Sequence, residues 1–283
     1  DHGQESEAIE RRFTELTEWL LYGLVDFDFI CESLLPSQYQ PSADQALHVG
    51  EMAYDAVLVP ACDTLRSTTL DALEQFAARG GMVIFAGKSP CAQDALPSSR
   101  PAALAARCER VAFERDAVLA ALEPVRELDI RTPQGERSDN LIAQLRDDGQ
   151  ERWLFVCHCN PPAAPDDCAQ EHYTLTLRGN WSATWYDTLT GRILPLESVR
   201  QDGVTRLEWH CFCHDSLLLR LCPDDCERRE TQEIAPAVLL PTRPEAVAQC
   251  VRPVCQEDEA VSVTLHESNA LLLDRAAWRL DGG

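Results

Sequence analysis

The chain has 283 residues, enough for two domains of ordinary size, and 45 % of them are hydrophobic, enough for packed cores. Its formal charge of -22, from 47 acidic against 25 basic residues, repels phosphate backbones and anionic lipid, so neither nucleic acid nor a membrane surface is expected as a partner. No apolar run approaches the roughly 18 residues of a membrane span.

Residues Asp1 to Arg11 are almost entirely polar, which is not the pattern of a signal peptide. The chain lacks an initiator Met and stops at Gly282-Gly283, which leads us to expect a piece of a longer protein. From Glu5 to Val25 apolar residues recur at three- and four-residue steps (Ile9, Phe13, Leu16, Leu20, Leu24), the pattern of an amphipathic helix. Asp26 to Ile30 reads as a short strand, and Leu47 to Met52 as a second. Tyr54 to Pro60 is an apolar run closed by Pro, a buried strand. Thr68 to Arg79 is expected to be a helix, capped by Ser67 or Thr68 and stopped by Gly80-Gly81. Met82 to Ala86 is the next buried strand; a helix at Pro101 to Arg107, a strand at Val111 to Phe113 and a helix at Asp116 to Leu122 follow. Apolar strands alternating with helices predict a Rossmann-like, doubly wound parallel α/β sheet over residues 1–125.

After Pro124 the pattern turns to short strands with frequent turns. Leu128 to Arg131 alternates, and Asn140 to Arg146 with Arg152 to Cys159 reads as a hairpin around Asp147-Asp148-Gly149-Gln150. Tyr173 to Leu177, Ser182 to Tyr186, Ile193 to Leu196, Val204 to Trp209 and Ser216 to Leu221 complete an expected β-sandwich over residues 126–283. A loop at Pro223 to Ala235, a Pro-rich connector near 236–253 and strands at Val261 to Leu265 and Ala270 to Leu273 end it.

Thirteen Cys cannot all pair within one chain, and most lie in apolar stretches where a thiol behaves as a small hydrophobe. A reducing, cytoplasmic compartment with mostly free thiols is expected. Ala86-Gly87-Lys88-Ser89 copies only the tail of a phosphate loop, so no nucleotide and no other cofactor is expected. A strained nucleophile turn would place Cys after the Val83 to Phe85 strand, where Lys88 and Ser89 stand instead. Cys62 and the displaced Cys91 remain alternative nucleophiles, but the α/β half offers only His2 and His48 as imidazole bases. Cys157-His158-Cys159, His210 and Cys211-Phe212-Cys213-His214 suggest zinc, yet C-x-C is not a zinc knuckle. Strand alternation aligns Cys157 and Cys159 with Trp153 and Phe155, and Cys211 and Cys213 with Trp209, which we read as core faces without metal; His158 then points the other way. Trp181, Trp185 and Tyr186 read as core aromatics rather than a sugar platform, and pairs such as Asp166-Asp167 as polar turns. Any ligand of the wound sheet belongs at the carboxyl ends of its strands, near Glu32, Cys62, Asp63, Lys88 and Ser89.

Asp26 to Ile30, Leu34-Leu35, Tyr54 to Pro60, Leu65, Leu70 to Phe76 and Gly80 to Phe85 together resemble the glutamine-amidotransferase-like domain of large glycoside hydrolases. The trimerisation domain of family 42 β-galactosidases and α-L-rhamnosidase-like multidomain hydrolases carry the same pattern. Trp185 to Leu196 and Leu265 to Asp274 are similar to the sandwich segments of such enzymes. The resemblance implies a flavodoxin- or amidotransferase-like sheet followed by a sandwich, within a chain whose catalytic carboxylates sit on a separate barrel. No catalytic residue carries over, since the amidotransferase Cys is missing. The expected role is a non-catalytic accessory region in carbohydrate degradation. Its implied partner is the barrel of the parent polypeptide, with self-association and carbohydrate binding left open. A thiol or serine hydrolase using Cys62, Ser89 or Cys91, and a metal-stabilised interaction module, are the alternatives.

Overall fold

A computed structural model of the chain describes residues 2–149, 151–162, 164 and 169–223. The chain divides after Thr242, and every described residue belongs to the first unit. The expected loop beyond Pro223, the connector and the strands at Val261 and Ala270 lie outside the described residues. What is described is rich in small sheets and has few helices. No helix among these residues is long and apolar enough to cross a membrane.

The front half contains helix α1 (His2–Tyr22), strand β1 (Ala56–Pro60), helix α2 (Ser67–Ala78), strand β2 (Met82–Ala86), helix α3 (Arg100–Ala105), strand β3 (Glu109–Val111) and helix α4 (Arg115–Ala121). The three strands pair in parallel, with β2 in the centre. Alternation along β2 divides its side chains between two cores. Val83 and Phe85 pack with Leu70, Leu73 and Phe76 of α2 and Leu104 of α3. Ile84 and Ala86 pack with Leu16 and Leu20 of α1 and Val118 of α4. Burial on both faces is why β2 is apolar at every position. The strands stand in chain order, without the reversal that opens a crevice in a doubly wound sheet.

Three local expectations need correction. Asp26 to Ile30 forms no strand; its aromatic side chains pack locally instead, Phe29 on Phe13 of α1 at 4.8 Å and Phe27 on Phe29 at 5.3 Å. Neither Ser67 nor Thr68 caps α2. Arg66 holds the cap position, and the free backbone N–H groups of Arg66 and Ser67 donate to the distant carboxylates of Glu32 and Asp94, each at 3.0 Å. The third parallel strand covers Glu109–Val111 rather than Val111 to Phe113. The expected helix stop is present: Gly80 has φ +87°, and a Cβ on Gly81 would fall 2.2 Å from the Phe76 ring.

Among the described residues beyond Val125 every strand pairing is antiparallel. The strands are β4 (Leu128–Arg131), β5 (Leu141–Asp147), β6 (Arg152–His158), β7 (Gln170–Arg178), β8 (Trp181–Tyr186), β9 (Ile193–Pro195), β10 (Val199–Gln201), β11 (Val204–Phe212) and β12 (Ser216–Pro223). They form one sheet in the order β4-β7-β11-β10 and another in the order β5-β6-β12-β8-β9. Ile130 and Leu175 from the first, with Leu154, Val156 and Leu219 from the second, share one buried core. The β5–β6 hairpin turns through Gly149 at φ +90°.

The end of α1 joins this sandwich to the front half. Val25 N–H donates to the Leu20 carbonyl and Leu24 N–H to that of Leu21, the double bond of a Schellman stop. Leu24 takes the left-handed position, φ 55°, at a cost of about 1 kcal/mol, and buries its side chain in the sandwich core. Gly23 fits where a Cβ would strike Leu119 of α4. The buried guanidinium of Arg126 then satisfies this helix end. Its Nη1 donates to the carbonyls of Gly23, Leu24 and Leu128, and its Nε to Glu123 at 2.9 Å. Alongside, Asp129 accepts from Arg131 and Arg137, each at 2.5 Å. Burial pushes the Asp129 carboxyl upward, but these two guanidiniums outweigh it and leave its pKa lowered.

Arg126→Met strips the donor from buried carbonyls and is expected to cost about 2–4 kcal/mol, measured as a lower urea midpoint at unchanged slope. For Asp129, the depressed folded pKa gives stability that is complete above the ordinary carboxylate value and lost as pH falls through the folded one. Melts of the native chain and Asp129→Asn should therefore differ most near neutral pH and converge as pH drops below about 4.

Candidate functional site

The parallel register sets Pro60 of β1 beside Ala86 of β2, so Cys62-Asp63 and Lys88-Ser89 leave the sheet at the same end. Gly87, at φ +86°, lets the second turn pass: a Cβ there would lie 3.1 Å from Phe113 and 3.2 Å from Ala61. The Asp63 carbonyl accepts from the N–H groups of Cys91 and Ala92, holding the loop beyond Ser89 against the first turn. Across the gap, Lys88 Nζ donates to Asp63 Oδ1 at 2.7 Å and holds that carboxyl below the ordinary range.

The five residues expected at this edge have different roles. Glu32 accepts the Arg66 N–H and so caps helix α2. Asp63 and Lys88 pair with each other. The Ser89 hydroxyl is buried and has no hydrogen-bond partner among the described residues. Burial, reinforced by the nearby Glu32 and Asp63 carboxylates, pushes the half-buried Cys62 thiol up to about 11. A thiol nucleophile needs the opposite shift, or a base within reach. His48 is committed elsewhere, 2.8 Å from Asp44. A hollow of about 430 Å³ beside α4 is lined by Asp116, Glu123, Arg131 and Arg137 among others. Its two arginines and Glu123 are ion-paired.

A second cluster lies in the sandwich, and there one sequence expectation reverses. Along β6 the buried positions are Leu154 and Val156, with the His158 side chain only 4 % exposed. Phe155 is 39 % exposed, and Cys157 and Cys159 share its parity, so these two cysteines do not face the core. The Trp153-Leu154-Phe155-Val156 run is apolar at both parities, so the sequence does not reveal which face turns inward. Cys211 and Cys213 are buried with Trp209, as expected. Trp185 packs against the core and Tyr186 against Trp153 at 5.0 Å.

His158 thus meets the facing sheet, where β7 and β11 pair Glu171 with Cys211. His158 Nε2 lies 2.7 Å from Glu171 Oε2, which also accepts from the Tyr173 hydroxyl at 2.9 Å. His158 Nδ1 lies 2.8 Å from the Asp215 carbonyl, an acceptor only, so Nδ1 carries a proton. The contact to Glu171 requires one further proton, on the imidazole or on the carboxyl. Cys211 Sγ completes a group whose ligand atoms lie within 4.8 Å of one another. Burial first, then the Glu171 and Asp215 carboxylates, raises the Cys211 thiol pKa. A lone Glu at a strand end carries no motif, so the sequence does not single out Glu171.

No protein-family model matches the chain, and no curated protein matches it. Among solved structures it is similar to a rhamnosidase from Novosphingobium sp. PP1Y, with 16 % identity and a TM-score of 0.49 over 73 % of this chain and 21 % of that one. It is also similar to α-L-fucosidase isoenzyme 2 from Paenibacillus thiaminolyticus, with 10 % identity and a TM-score of 0.46 over 74 % of this chain and 44 % of that one. A β-galactosidase from Bacillus circulans sp. alkalophilus gives 12 % identity and a TM-score of 0.41, over 75 % and 38 %. The chain therefore spans less than half the length of each.

The thiol chemistry is directly measurable. At pH 8 the exposed Cys31, whose pKa is lowered by hydrogen bonds from Ser33, should react with maleimide at least ~10-fold faster than Cys62. Labelling of Cys62, followed by peptide mass spectrometry, should accelerate only as pH approaches 11.

Proposed function

We propose that this chain is a non-catalytic accessory region of a larger glycoside hydrolase. It would serve carbohydrate degradation by supporting a catalytic barrel elsewhere in the parent polypeptide, or by self-association. The resemblance carried by Asp26 to Ile30, Tyr54 to Pro60 and Gly80 to Phe85 supports an amidotransferase-like front half, and that carried by Trp185 to Leu196 supports the sandwich of such an enzyme.

One observation carries the non-catalytic part of this reading. At the strand ends, where an amidotransferase-like sheet would hold its activated thiol, stand an Asp63–Lys88 ion pair and a Cys62 thiol pushed up to about 11. This arrangement disfavours nucleophilic attack. Carbohydrate and the parent barrel are the partners proposed; nucleic acid and membrane are disfavoured by the net charge of -22. We place the protein in the cytoplasm, in keeping with the nine described cysteines, all free thiols. If sugar meets the front half, the edge with Glu32, Cys62, Asp63, Lys88 and Ser89 is the proposed surface.

The isolated, folded chain should show no turnover of nitrophenyl glycosides or of glutamine above a buffer blank. Turnover abolished by Cys62→Ser, Ser89→Ala or Cys91→Ser would overturn the proposal. The coding sequence upstream of Asp1 should specify a barrel-sized segment with paired Glu or Asp residues, and its absence would count equally against it.

A further inference from the structure

We propose that His158, Glu171 and Cys211 form a zinc site that ties together the two sheets of the sandwich. The three residues come from three strands: β6 in the five-stranded sheet, and β7 and β11 in the four-stranded one. This is not the C-x-C set that the sequence brings to mind. His158 and Cys211 stay, while Glu171 takes the place that Cys157 and Cys159 cannot fill from the outer face.

Imidazole, thiolate and carboxylate are the ordinary ligands of zinc, and this mixture of soft and borderline donors favours zinc over calcium or magnesium. The surrounding bonds have the form of a prepared metal shell. A ligating His normally donates its second ring N–H to a carbonyl or carboxylate, which fixes the tautomer and aims the other nitrogen at the ion. His158 Nδ1 meets the Asp215 carbonyl at 2.8 Å in this way, and Nε2 faces the cluster. A ligating carboxylate is normally hydrogen-bonded in turn, and the Tyr173 hydroxyl donates to Glu171 at 2.9 Å.

The ligand atoms lie within 4.8 Å of one another, whereas a tetrahedral zinc shell has edges of roughly 3.3–3.8 Å. Binding therefore needs movements of about 1 Å, within reach of side-chain rotation. The Nε2–Oε2 contact of 2.7 Å must open slightly, the ion replacing the proton between them and displacing the Cys211 thiol proton, both released to solvent. Glu171 is 29 % exposed, so water has access to a fourth position. The consequence is mechanical: an ion held by both sheets resists their separation.

The test uses the full chain freed of metal by chelation, then titrated with zinc or cobalt(II). Expected are one zinc per chain, a thiolate-to-cobalt charge-transfer band, and a melting temperature raised by about 5–10 °C at saturating zinc. Cys211→Ser should abolish the band and the shift, whereas Cys157→Ser and Cys62→Ser should keep both. Because Cys211 is fully buried, Glu171→Gln gives a second reading from the exposed side of the site. It should remain folded by circular dichroism and bind zinc at least ~10-fold more weakly. Less than stoichiometric zinc on the folded chain would overturn the proposal, as would a band that survives Cys211→Ser.

Discussion

A buried guanidinium at the end of a helix bridges the two halves of the described chain. Helix α1 belongs to the core of the front half through Leu16 and Leu20, yet its next turn ends inside the sandwich through Leu24. Such a transition leaves carbonyl groups pointing into protein rather than water, where an unsatisfied acceptor costs about 1–3 kcal/mol. Arg126 supplies the missing donors to Gly23 and Leu24 and also bonds Leu128 at the start of the first sandwich strand. Its charge is met by Glu123. The left-handed conformation of Leu24 persists because this cradle and the sandwich core together define its place. Tyr22, two residues earlier, reaches Cys159 at 3.5 Å, a further link across the same joint.

The same economy of donors and acceptors explains the quiet strand-end corner. Glu32 and Asp94, which composition alone offers as free carboxylates, are used to cap α2 from a distance. Asp63 is used to hold Lys88 and, through its carbonyl, the loop beyond it. What remains is a half-buried thiol whose surroundings discourage ionisation. In the sandwich the opposite arrangement occurs. His158, Glu171 and Tyr173 form a connected polar group where the two sheets meet, running from the buried His158 to the partly exposed Glu171, and such groups persist when their members satisfy one another.

Much of the fold was legible in the sequence. The unbroken apolar run Met82 to Ala86 announces a strand covered on both faces, and the Asp147 to Gln150 turn announces its hairpin. Three of the failures share a cause: they depended on long-range partners. Asp26 to Ile30 has strand-like alternation but pairs with no strand among the described residues. Ser67 is a good local cap, displaced by carboxylates 35 residues before it and 27 after it. The inward parity of His158 is hidden in a run apolar on both faces, so the His158–Glu171–Cys211 group emerges only when the two sheets are brought together.

The end of α1, fixed by Arg126 and anchored in both cores, is expected to make the parallel-stranded half and the sandwich open together. Native-state hydrogen exchange resolves this directly, by comparing the slowest amides of β2 with those of β6 and β12 across low urea concentrations. Equal opening free energies that fall with the same urea slope are expected. A sandwich that keeps full protection while β2 exchanges through a separate, cheaper opening would contradict the account.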